Sequence, residues 1–144
     1  MTTVATIKQI LVAIVVLNNA QLQNLPTTPV ELVPAPGVGK IVAPVFMTMA
    51  WTYAAPYTNL DFNASLFIDM NWQQRYSKLQ DEFTGVLGHQ LSGGLLVMEQ
   101  STVWSDIENR PVFLTGYNST LGNYTGGDPS NTMTIKVYYT IVDL

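Results

Sequence analysis

The chain has 144 residues, a size for one domain, and carries six Lys/Arg against ten Asp/Glu, a net charge of −4. Six scattered cations in a chain of pI near 4.6 exclude a binder of nucleic-acid backbone, which needs a basic stripe. Cysteine is absent, which excludes a disulfide scaffold and thiolate chemistry.

Charged residues make up 11% of the chain and hydrophobic ones 47%, so the surface is short of charge. Such a surface is either rich in Thr, Asn, Gln and Ser or covered by other subunits, and both are expected here.

The first apolar run, residues 10–17, follows Lys8 and precedes Asn-Asn-Ala20, an arrangement that imitates a secretory signal. Its eight residues fall far short of the roughly 20 that a membrane-spanning helix needs. Ile10, Val12, Ile14, Val15 and Val16 are β-branched, so the run reads as a structural strand or arm. Residues 18–25, with Leu22 and Leu25 three apart, suit one helical turn, which Pro26 ends. Residues 27–33 read as a short strand, broken by Pro34.

Pro29, Pro34 and Pro36 suppress helix across 29–40, and Gly37 and Gly39 supply the positive φ that a reversal needs. Next comes the longest strand candidate, 40–53. Val45, Met47, Met49, Trp51 and Tyr53 share one face at period two, and Pro44 marks a bulge or an edge. In 62–71, Phe62, Ala64, Leu66, Ile68 and Met70 alternate with polar neighbours, as in a half-buried antiparallel strand. The charge-dense stretch 73–83 suits a short helix or an exposed loop.

Gly85, Gly88, Gly93 and Gly94 keep the strands of the middle short. Residues 95–98, 101–104 and 111–115 are further strand candidates, and 116–131 is a long polar loop. The chain closes on a strand, 133–144, with Met133, Ile135, Val137, Tyr139 and Ile141 on one face. Eight or nine short strands between Gly/Pro turns predict an all-β, antiparallel β-sandwich of jelly-roll type. The division expected is an N-terminal strand or arm over 1–24 and a sandwich over 25–144, with the two terminal strands paired in one sheet as one plausible topology.

Chemistry is sparse. Val38, Gly39 and Lys40 imitate the end of a phosphate-binding loop, but Pro34 stands where its first glycine belongs. Ile41 stands where Ser or Thr would reach the metal, so the segment reads as a corner. His89 is the single histidine, with no ligand-spaced partners, and reads as a turn residue beside Gly88. A triad of His89 with Ser92 or Ser105 and Asp106 lacks a Gly-x-Ser-x-Gly elbow.

Asp106 and Glu108 on a strand would stand about 7 Å apart, within reach of glycosidase chemistry. The simpler reading is an exposed loop in which Arg110 neutralises one of them. Asn63, Asn118 and Asn123 head formal glycosylation triplets to which no role is assigned. Trp51, Trp72 and Trp104 with Tyr53, Tyr57, Tyr117 and Tyr124 suit either a carbohydrate platform or core and subunit packing. No catalytic, cofactor-binding or metal residue is assigned, and no cofactor is expected.

Three features together resemble a family of small structural proteins encoded among the head genes of tailed bacteriophages. They are the Pro29–Lys40 corner, the strand that follows with Tyr53, Tyr57, Thr58 and Asn59, and the close from Gly126-Gly-Asp128 into 136–144. The resemblance implies a virion protein of the capsid decoration, or cement, type. It implies a β-sandwich or β-barrel that sits on the capsid surface as a homotrimer and bridges subunits of the major capsid protein. It carries over no catalytic residues, and neither nucleic acid nor membrane is an expected partner. In this reading residues 2–17 add as a strand to a neighbouring subunit, and attachment gains from avidity. Alternative readings are a tail-fibre or receptor-binding module using loops 53–59 and 116–127 on host glycans, an adhesin or pilin-like subunit, and a glycosidase using Asp106 or Glu108.

Overall fold

A computed structural model describes residues 9–58, 65–69, 75–80, 88–95, 104–117 and 122–144. The chain is all-β with antiparallel sheets, and two short helices lie among the described residues. One four-stranded sheet, sheet A, runs β1 (Leu11–Asn18), β10 (Thr132–Asp143), β3 (Lys40–Tyr53), β7 (Gly88–Leu95) in spatial order. A second, sheet B, runs β2 (Val30–Val33), β8 (Val112–Tyr117), β5 (Ser65–Asp69), β6 (Arg75–Gln80). A two-residue ladder joins β4 (Tyr57–Thr58) to β9 (Thr125–Gly126).

The apolar faces read from period two go inward. Met133, Ile135 and Val137 of β10, and Met47, Met49, Trp51 and Tyr53 of β3, are buried with Leu32, Val33, Val112 and Leu114 of sheet B in one hydrophobic cluster. Tyr139 and Ile141 pack against it, partly buried. Val45 departs from the expectation and is exposed. The register of β3 against β10 slips between Tyr138, opposite Phe46, and Tyr139, opposite Pro44, so Val45 is the extra residue of a bulge. On the other side of β3, the pairing with β7 among the described residues runs from Phe46 to Tyr53 and does not include Pro44.

Within the segment expected as a strand or arm over 1–24, residues Leu11–Asn18 form a strand of sheet A. β1 pairs antiparallel with β10 from Leu11 opposite Tyr139 to Asn18 opposite Thr132, so the two terminal strands share a sheet. The reason is burial: Leu17, Leu22 and Leu25 are wholly inaccessible, each gaining about 1.5–3 kcal/mol by leaving water. The turn between the sheets is α1 (Asn19–Asn24). Asn18 caps it, accepting from the Gln21 N–H while Gln21 Oε1 accepts from the Asn18 N–H, both at 3.0 Å.

Three stretches differ from expectation. Part of the charge-dense segment is β6, antiparallel to β5, neither helix nor loop. The glycine-rich middle supplies one eight-residue strand, β7, which places His89 opposite Thr52 in a ladder instead of in a turn. Backbone ladder bonds need no side chains, which is why glycines are tolerated there. Trp104, expected on a strand, begins the short helix α2 (Trp104–Ile107). Asn63, Trp72, Ser101 and Asn118 lie outside the described residues.

Candidate functional site

Glu108 and Asp106, weighed as an acid/base pair on a strand, are not on one. Asp106 belongs to α2 and Glu108 to the turn after it. That turn holds the Pro/Gly corner that leads into β3. Glu108 Oε1 accepts from the Gly39 N–H at 2.7 Å, and Asn109 Oδ1 accepts from the Gly37 N–H at 2.9 Å. The Asn109 N–H returns a bond to the Lys40 carbonyl at 2.8 Å. Gly37 and Gly39 adopt φ of 103° and 74°, the conformation that the sequence demanded of them. The carboxylate of Glu108 is therefore engaged in binding a loop, and the corner shows no feature of a phosphate site.

The aromatic residues weighed as a glycan platform are mostly core. Of those whose side chains are described, Trp51, Tyr53, Tyr57 and Tyr124 are buried and Tyr117 is exposed. Tyr53 and Tyr57 meet edge to face with centroids 5.8 Å apart. The Tyr57 N–H donates to the Tyr53 hydroxyl at 3.1 Å, and the Tyr57 hydroxyl donates to Asn19 Oδ1 at 2.8 Å. Burial pushes the Tyr57 phenol up to about 12, and it raises that of Tyr53 as well. Beside them Asn131, wholly buried, accepts from the Ala54 N–H at 2.7 Å and donates to the Ala55 carbonyl at 2.8 Å. Packing explains these residues.

The feature that packing does not explain lies on the outer face of sheet A. Ile10, Val12, Ile14 and Val16 are 57%, 47%, 60% and 61% exposed, whereas single surface aliphatics are normally scattered. Register extends the patch inward: Val12 lies opposite Tyr138, which lies opposite Phe46, and the two rings meet with centroids 5.7 Å apart. Ile14 lies opposite Lys136, the patch's cation. The strand pattern accounts for this arrangement, since alternate residues of β1 serve the core through Leu17 and leave the even-numbered ones outside. Sequence reading recognised the β-branched run but not its two-sidedness. The signal was apolar residues at both parities of one short strand.

The edge of β1 is open as well. Among the described residues β1 pairs with β10 alone. Shallow grooves flank both its ends, one of them, of about 190 Å³, lined by Gln9, Leu11, Lys40, Thr140, Ile141 and Asp143. Among the described residues no group of three or more His, Asp or Glu is placed to hold a metal ion. No helix among them is long and apolar enough to cross a membrane. No protein-family model matches the chain, and no curated protein matches it.

Proposed function

We propose that this protein is a virion structural protein that decorates a bacteriophage capsid and stabilises it by binding the shell of major capsid protein. The observation that carries the reading is the exposed apolar face of β1, continued by Tyr138 and Phe46. A surface of this kind serves association with protein rather than chemistry. Lys136 within it supplies a charge for orientation at the rim of a contact.

The strand order supports a jelly-roll sandwich as the scaffold. With the two-residue strands β4 and β9 set aside, the remaining eight read first–eighth–third–sixth in sheet A and second–seventh–fourth–fifth in sheet B. The pairs β1–β10, β2–β8, β3–β7 and β5–β6 are all antiparallel, as if one long hairpin had been rolled up. That arrangement serves capsid proteins and lectins alike, so the scaffold does not choose between them. The burial of Tyr53, Tyr57 and Tyr124 weighs against the glycan-binding alternative, which needs aromatic rings at the surface.

In this reading the protein acts as a homotrimer on the capsid surface, and many modest contacts add through lattice avidity. Co-sedimentation with shells assembled from the major capsid protein of the same phage tests it. Saturable pelleting with the shells supports decoration. Protein that stays in the supernatant, yet is retained on immobilised host glycan, supports the receptor-binding reading instead.

A further inference from the structure

We infer that the edge of β1, which among the described residues has no second partner strand, is a self-pairing interface, at which β1 of a second copy adds antiparallel about a two-fold axis at Ile14. The inference goes beyond shell binding, and a homotrimer is compatible with it only as two trimers joined at β1, six chains in all. An unpaired edge presents a row of N–H and C=O groups that invites another strand, and proteins normally protect such edges with charge, proline, glycine or shortness.

The other edges of the two sheets have those protections. β2 spans four residues, carries Glu31 and is flanked by Pro29 and Pro34. β6 carries Arg75 and Lys78, and β7 carries three glycines. β1 has eight residues with no charge, proline or glycine, an edge of about 26 Å at ordinary strand rise. The whole stretch from Gln9 to Val30 is uncharged in a chain of net charge −4, so two acidic copies approach here without like charges opposing.

Self-complementarity identifies a second copy as the occupant. Only a register pairing residues of equal parity keeps the two outer faces on one side of the joined sheet. The register centred on Ile14 sets Ile14 against its own copy and Val12 against Val16, apolar on apolar, with Ile10 and Asn18 meeting at the two ends. On the other face it sets the half-exposed Ala13 against Val15, covering the side of the core that β1 leaves open. The joined sheet has eight strands and doubles the outer apolar face on one side.

The test is the mass of the full chain in solution by light scattering, over a wide range of concentration, for three proteins. Wild type is expected at twice 15.9 kDa, or at another even number of chains if a separate three-fold contact joins the pairs. V12K/V16K sets lysine opposite lysine twice and is expected to halve that mass. V12E/V16K sets Glu opposite Lys twice and is expected to restore it. Both positions are exposed, and circular dichroism checks that each variant is folded. If V12K/V16K is unfolded, I14K, which sets one lysine against its own copy, takes its place. A wild type of one chain or of an odd number of chains overturns the inference. So does an even mass that ignores the charge pattern.

Discussion

Glu108 Oε1 accepts a hydrogen bond from the Gly39 N–H at 2.7 Å across a sequence separation of 69 residues. The bond joins the turn after α2 to the corner between β2 and β3, and so ties the two sheets at one end. Removing the acceptor leaves a partly buried N–H without its partner, a loss of about 1–3 kcal/mol. Glu108→Ala is therefore expected to lower the unfolding free energy by that much, read as a lower urea midpoint at unchanged slope. Glu108→Gln, which keeps an acceptor oxygen, is expected to lose less than half of it.

A second prediction concerns the loop between β9 and β10, which packs on Tyr57. Gly127 adopts φ of 74°, and a Cβ there would stand 2.7 Å from both Asn19 Oδ1 and Tyr57 Cε1. Gly127→Ala combines left-handed strain, about 1–3 kcal/mol, with displacement of the Tyr57–Asn19 hydrogen bond. A fall in melting temperature should come with a change in near-ultraviolet circular dichroism, since buried tyrosines report the packing.

Alkaline pH provides a third prediction. The folded protein holds the Tyr57 phenol at about 12, above its ordinary value near 10, because burial disfavours the phenolate. The folded state then binds a proton that the unfolded chain releases. Stability from this group is complete below pH 10 and is lost as pH rises through 12. Denaturant unfolding followed between pH 9 and 12 should show that decline, and Tyr57→Phe should flatten it.

Much of the fold was legible because alternation is a local signal. Met133, Ile135 and Val137, and likewise Met47, Met49 and Trp51, announce their buried faces within one short window. The helical turn around Leu22 and the corner at Gly37 and Gly39 were legible for the same reason. What was not legible depends on distant partners. Val45 is turned outward by a slip against Tyr138 and Tyr139, more than ninety residues away. Arg75–Gln80 takes strand conformation from its ladder with β5, against its own charge-rich character. The role of Glu108 needed the corner to be brought to it. The outer patch was half legible: its residues were named, but which of them the core takes is decided by pairing with β10.

Replacing the aromatic pair of the patch gives a prediction about binding rather than folding. Phe46 and Tyr138 are neighbours on the outer face, so F46S/Y138S removes apolar contact area while leaving the core residues in place. The cross-strand ring pair contributes about 0.5–1.5 kcal/mol beyond the area that the rings bury, and circular dichroism checks that the variant is folded. Shell binding should weaken at least tenfold in apparent Kd measured by co-sedimentation, because avidity multiplies each lost contact.

The proposed function has this protein coat a shell of major capsid protein through the outer face of sheet A. Electron cryo-microscopy of such shells incubated with excess protein tests it most directly. The account predicts ordered density at repeating lattice positions, with Val12, Ile14, Phe46 and Tyr138 turned toward the shell. Bare shells at saturating protein, or bound protein with that face turned to solvent and unoccupied, would contradict it.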